Sequence, residues 1–170
     1  TMENQMFTSS SSSQIGHFLL PHLRATGEPV LALSRHPRPT RDGVQWLRGT
    51  LPHDMPTLPE LSAIISFGPL LALAEWLAHA NRVGAPRVVA TSSMSAESKR
   101  DSVVPAERAI ARQLREGEAA LATACARRGC AWTVLRPTLV YGAGLDKSLA
   151  PIARRALRTR LFPIPAARGL

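Results

Sequence analysis

The stretch from Phe7 to Arg35, FTSSSSSQIGHFLLPHLRATGEPVLALSR, admits few architectures, because a strand stub, a tight loop, a helix and a second strand follow in immediate succession. Ile15, Phe18, Leu19 and Leu23 fall at i, i+3, i+4 and i+8 and so share one helix face, and Gly27 stands where a C-cap is expected. Pro29-Val30-Leu31-Ala32-Leu33 is a short apolar strand. A βαβ unit of this kind offers the N–H groups of its loop and the positive end of its helix to a pyrophosphate, and the end of its second strand to a ribose. Arg35, 19 residues after Gly16, stands at that second place.

The loop departs from the usual glycine pattern. If Ile15-Gly16 closes a G-x-x-G-x-x-G loop, Ser10 and Ser13 occupy the first two glycine positions and Gly16 the third. The first glycine permits the tight turn, and the second lets phosphate approach the backbone. Serine is the smallest side chain that could stand there and still offer phosphate a hydroxyl. Ser9 to Ser13 also has the composition of a flexible linker. The helix and strand that follow at the right places favour phosphate binding.

The rest of the chain alternates in the same way. After a Pro-rich loop at His36 to Asp42, Val44 to Leu47 reads as a strand, Pro52 to Pro59 as a loop, and Leu58 to Ser62 as a short helical turn. Ala63-Ile64-Ile65-Ser66-Phe67 is an apolar strand of the kind buried on both faces of a parallel sheet, and Gly68-Pro69 turns it. Leu70 to Asn81 forms a helix with Leu71, Ala74, Leu77 and Ala78 on one face, closed by Gly84. Arg87 to Thr91 is a strand that ends in Ser92-Ser93-Met94-Ser95 and a polar loop. The longest helix runs from Pro105 or Ala106 to about Arg128, with Ala106, Ala109, Ile110, Leu114, Gly117, Ala120, Leu121, Ala124 and Cys125 as its apolar stripe and Gly129 as its stop. Ala131 to Val140 supplies a further strand, and one basic helix and a Pro-rich tail complete the chain. Strands and helices at this spacing predict an α/β fold, a doubly wound parallel sheet of Rossmann type with helices on both faces and ligands at the carboxyl ends of its strands.

Composition narrows the partners. A chain of 170 residues, 45% hydrophobic, suits an ordinary globular domain, and no apolar run is long enough to span a bilayer. TMENQMF lacks the basic and apolar regions of a signal peptide, which points to the cytoplasm and away from a membrane. Cys125 and Cys130, five apart, fit neither a redox motif nor a zinc knuckle and read as packing residues. The five histidines have no metal-ligand spacing, so no metal is expected. The net charge of +9 raises the question of a nucleic-acid partner. Its arginines are spread along the chain without interleaved aromatics, and even the densest group, Arg154, Arg155, Arg158 and Arg160, fits a solvated helix face. No nucleic acid is therefore expected.

The order of FTSSSSSQIG, VLALSR, AIISFGP, RVVATSS, the long helix and WTVLRPTLVYGAG resembles the extended short-chain dehydrogenase/reductases, specifically their NAD-dependent epimerase/dehydratase branch. The most specific piece is Leu135 to Gly142, since R-P-x-x-V-Y-G after a strand recurs in that family. The resemblance implies a nicotinamide cofactor and a sugar-nucleotide or other small carbonyl substrate, and it leaves a homodimer open. It maps Ser10, Ser13, Gln14, Ile15 and Gly16 to the phosphate loop, Phe67 and Gly68 to the strand end beside the adenosine, and Pro137 and Val140 to the nicotinamide pocket. Arg35, helped by Arg38, stands where many relatives carry an acidic residue, which implies NADP in preference to NAD because a guanidinium can pair a 2′-phosphate.

Two features of the family are missing. Counting back from Glu118, its Tyr-x-x-x-Lys pair would fall on Ile110 and Leu114, and no such motif occurs anywhere in the sequence. The catalytic hydroxyl that follows the fifth strand in relatives maps to Ser93 or Ser95, which equally suit a turn. The second is the C-terminal substrate-binding portion, of which residues 146–170 would be only the start, after a cofactor domain at 1–145. Two functions follow: an oxidoreductase with substituted acid/base groups, or a non-catalytic NADP(H)-binding sensor or scaffold.

Overall fold

The computed structural model describes residues 5–9, 13–40, 43–142, 144–146 and 148–162. Strands β1 (Met6–Ser9), β2 (Val30–Ser34), β3 (Val44–Arg48), β4 (Ala63–Ser66), β5 (Arg87–Thr91) and β6 (Trp132–Leu135) form one sheet in the order β3-β2-β1-β4-β5-β6. Every pairing is parallel. The order reverses between β1 and β4, which places a crevice at their carboxyl ends.

Register assigns the faces. Phe7, Ile64 and Val88 lie in one row across β1, β4 and β5, and they pack with Leu73 and Leu77 of α2 (Leu70–His79) and Leu121 of α4 (Pro105–Arg128). The other face carries Val30, Ala32 and Val44 against Leu20 and Leu23 of α1 (Gln14–Ala25). Phe7 is fully buried with its ring 5.6 Å from that of Trp76, which anchors α2 on the sheet. A one-turn helix, α3 (Ser95–Ser98), lies in the expected polar loop.

Several local expectations are corrected. Phe18 and Leu71 are about half exposed, so the buried faces of α1 and α2 are rotated from the predicted ones. Leu58 to Ser62 forms no helical turn; Leu58 and Leu61 are drawn into the core, and Pro59 has no N–H to give a helix. β6 stops at Leu135, just before Arg136-Pro137, where a proline cannot extend the ladder.

The stripe on α4 is buried only in its second half, at Gly117, Leu121, Ala124 and Cys125, whereas Ala106, Ala109 and Ile110 are exposed. The cause is length. Gly117 sits against Leu70, the first residue of α2, so the turns of α4 before it run past the end of their partner helix.

That contact is close. A Cβ on Gly117 would stand 3.2 Å from the Leu70 Cβ and 3.3 Å from the Leu71 amide nitrogen. Gly117→Val is expected to cost about 1–3 kcal/mol by overpacking, while in Gly117→Ala a helix-propensity gain of about 1 kcal/mol offsets the tight fit. Urea melts of the two variants check this. A valine variant as stable as the parent would show that the helices do not cross this closely.

The chain divides into two compact units, residues 1–138 and 139–170. In the second, α5 (Leu149–Thr159) begins at an acidic cap. The Asp146 carboxylate accepts the N–H groups of Ala150 at 2.8 Å and Leu149 at 2.7 Å. Those backbone bonds, the one from Ala150 foremost, hold its carboxyl below the usual aspartate range.

Candidate functional site

Ser13 is the N-cap of α1, with extended backbone, and its hydroxyl oxygen accepts the Gly16 N–H at 3.2 Å. A hydroxyl used as an acceptor still has its own proton to donate. No acidic residue lies in the first turn of α1, so nothing there neutralises the positive helix end. Gln14 and Ile15 form that turn and Gly16 is buried. Ser10 lies outside the described residues.

Behind the cap, the carboxyl ends of β1 and β4 are tied by a buried hydrogen bond of 2.7 Å between the hydroxyls of Ser9 and Ser66. At the end of β2 the Ser34 hydroxyl accepts the His36 N–H. Ser9, Ser13, Ser34, Arg35, Thr50 and Gly68 are among the residues that line a cavity of about 520 Å³ at these strand ends, with Leu33, Leu51 and Ala72 supplying apolar wall. That is an ordinary size for a small-molecule site.

Among the described residues Arg35 is the one charged side chain in the lining, and no carboxylate accompanies it. Among the described residues it makes no ion pair. Arg38 is engaged otherwise, its guanidinium lying 4.9 Å from the centre of the Trp46 ring. Of the residues singled out in the sequence, the cavity brings together Ser13, Arg35 and Gly68; Phe67 precedes Gly68 and is half-buried. Ser9, Ser34, Thr50 and Leu51 were not legible as site residues, and their only signal is position at or just after a strand end.

A second polar cluster gathers around the end of β6. Arg136 donates from Nε and Nη2 to both oxygens of Glu118, at 2.9 and 2.5 Å, and from Nη1 to Glu97 at 2.9 Å. This fork joins β6 to α4 and α3, and its hydrogen bonds are the main reason the Glu118 carboxyl titrates below its ordinary range. The Pro137 carbonyl accepts the Met94 N–H at 3.0 Å, and the Ser93 hydroxyl accepts the Ser95 N–H at 3.2 Å, so Ser93 shapes the turn into α3. Pro137 lies in the first compact unit and Val140 in the second. Ile110 is 45% exposed and Leu114 is half-buried.

Cys125 and Cys130 are buried free thiols, and burial pushes Cys125 up to about 11, which suits packing and leaves little nucleophilic thiolate. Among the described residues no group of histidine, cysteine or carboxylate side chains could hold a metal, and no helix is long and apolar enough to cross a membrane.

No protein-family model matches this chain, and no curated protein sequence does. Solved structures do. MoeE5 in complex with UDP-glucose and NAD superposes with a TM-score of 0.73 at 23% identity, over 92% of this chain and 62% of that one. TunA, a NAD-dependent NDP-hexosamine 5,6-dehydratase involved in tunicamycin biosynthesis, gives 0.66 at 18%, over 96% and 64%. A putative epimerase from Burkholderia cenocepacia J2315 gives 0.63 at 17%, over 92% and 61%. The chain shares their fold. It spans less than two thirds of the length of each.

Proposed function

We propose that this chain is a nicotinamide-nucleotide-binding domain of the kind found in sugar-nucleotide epimerases and dehydratases, and that it prefers NADP(H) to NAD(H). The observation that carries the reading is the cavity at the sheet's reversal point, where, among the described residues, the guanidinium of Arg35 is the one charge in the lining and makes no ion pair. The residues present fit the cofactor. Ser13 and the N–H groups opening α1, around Gln14, Ile15 and Gly16, suit a pyrophosphate; Arg35 suits a ribose 2′-phosphate; Leu33, Leu51 and Ala72 suit an adenine, with Phe67 and Gly68 at its border. The family resemblance adds Ser10 to the phosphate contacts and assigns Pro137 and Val140 to the nicotinamide. When bound, such a cofactor supplies hydride chemistry, and the chain's own contribution is to hold and orient it.

In this reading residues 1–145 form the cofactor domain, residues 146–170 belong to a substrate-binding portion, and the substrate is a sugar nucleotide or another small carbonyl compound. Ser93 and Ser95 are the candidate proton-handling hydroxyls. The protein would act in the cytoplasm, alone or as a homodimer, without nucleic acid. A second reading, a non-catalytic sensor or scaffold, is favoured by the aliphatic Ile110 and Leu114 in the positions where the resemblance requires an acid and its lysine.

Calorimetry tests the cofactor. NADPH should bind about tenfold or more tightly than NADH, because a charge-assisted contact contributes roughly 1.5–3 kcal/mol, and Arg35→Ala should remove most of the difference. Equal affinities for the two in the parent chain would defeat the NADP preference. Absence of binding to either would defeat the domain assignment.

A further inference from the structure

Away from the cofactor cavity, α4 carries a second concentration of charge. Arg108, Arg112 and Arg115 recur at i, i+4 and i+7 and so share one face, and Arg100, just after α3, joins them. Together they line a groove of about 660 Å³, made concave by small residues such as the buried Ala111, with Glu116 the single carboxylate in the lining among the described residues.

The arginines are only loosely committed. Arg112 meets Glu116 at 3.9 Å across two largely exposed side chains, Arg100 pairs with Asp101 at 3.1 Å and with Glu97 at 3.7 Å, and Arg108 donates to the Ser102 carbonyl. Arg115 makes no hydrogen bond or salt bridge among the described residues and acts on Glu118 only through its field. Like charges four apart on a helix destabilise it by a few tenths of a kcal/mol, which a multivalent anion would relieve. We propose that this groove binds a chain of condensed phosphates, as borne by inorganic polyphosphate or by a nucleoside triphosphate.

The chemistry supports that class over others. Guanidinium forks pair phosphate oxygens bidentately, and Arg108 to Arg115 spans about 10 Å at 1.5 Å per residue, so successive phosphates can be met in turn. The lining has no aromatic side chain on which a base of a single strand could stack. Its size is that of a small-molecule site, too short for a duplex. This site is independent of the cofactor reading, since none of its residues lines the cavity at the strand ends.

Sodium tripolyphosphate, titrated calorimetrically at physiological salt in the presence of saturating NADPH, is the probe. One equivalent should bind, and the Arg112→Ala, Arg115→Ala double variant should weaken it at least about tenfold. Arg155→Ala with Arg158→Ala removes the same charge from α5 and should leave the affinity within about twofold. If the alanine variant does not fold, Arg112→Lys with Arg115→Lys keeps the charge, loses the forks and should bind several-fold more weakly. ATP as tight as tripolyphosphate would assign the groove to the phosphate chain itself, and tighter ATP would assign it to a nucleotide. No binding, equal weakening by the α5 variant, displacement by NADPH, or an unaltered affinity in the lysine variant would each overturn the proposal.

Discussion

Replacing Arg128 with alanine is expected to lower the thermal midpoint by about 4–12 °C, since a loss of about 2–3 kcal/mol in a chain of this size shifts the midpoint by about 2–4 °C per kcal/mol. The reason lies at the end of α2, where the last carbonyls of a helix have no intrahelical partner. No glycine caps this end: Ala80, the C-cap residue, is extended, and Gly84, expected to close the helix, lies further on. Arg128, at the end of α4, fills the gap. It donates from Nε and Nη2 to the Leu77 carbonyl at 3.1 and 2.6 Å, from Nη2 to Ala80 at 2.6 Å, and from Nη1 to Gly84 at 3.3 Å. A cation there also opposes the negative end of the helix dipole.

Removing that side chain strands several carbonyls in a part-buried place, which is costlier than losing an exposed bond. Arg128→Lys keeps the charge but can reach fewer oxygens, and it should fall between the parent and the alanine variant. Circular dichroism melts of the three proteins decide the matter. An alanine variant melting within a degree of the parent would show that water satisfies these carbonyls as well as Arg128 does.

Arg128 also shows what the sequence could not convey. Its contacts lie 44 to 51 residues away, and periodicity reports only neighbours along one element. The local signals were legible. Gly27 and Gly129 adopt the positive φ expected past helix ends, and Ala63 to Ser66 reads as the interior strand it is. The parallel order followed from alternation of strands and helices.

What failed to read correctly depends on which neighbour ends first. Ile110 continues the stripe of α4 by spacing, yet α2 begins only opposite Gly117, so an apolar residue in phase with the core has no core beside it. The rotated face of α2 has a similar origin: with apolar residues at nearly every position, as in Leu70-Leu71-Ala72-Leu73-Ala74, the docking geometry decides which are buried. The cavity was half legible, because Ser13, Arg35 and Gly68 sit in recognisable motifs while Ser9, Thr50 and Leu51 reach it only through the register of strands distant in sequence.

Supplied with NADPH, this chain is expected to show no conventional dehydrogenase or epimerase turnover on sugar nucleotides or simple carbonyls. A positioned general acid contributes about 10²- to 10⁴-fold to such a reaction, and it must both reach the reacting oxygen and titrate. The exposed half of α4 presents Ile110 and, one turn on, Leu114, and neither side chain can carry a proton. Among the described residues no lysine stands on α4 to help Ser93, the hydroxyl nearest in role, release its proton. Installing Ile110→Tyr with Leu114→Lys should restore only part of the rate, because an acid and its partner do not by themselves supply a pocket that orients a substrate. The assay follows NADPH absorbance over a panel of carbonyl compounds and sugar nucleotides, with the parent chain and with Ser93→Ala, Ser95→Ala. Robust parental turnover that the serine substitutions abolish would show that a different catalytic set operates here and that the sensor or scaffold reading is wrong.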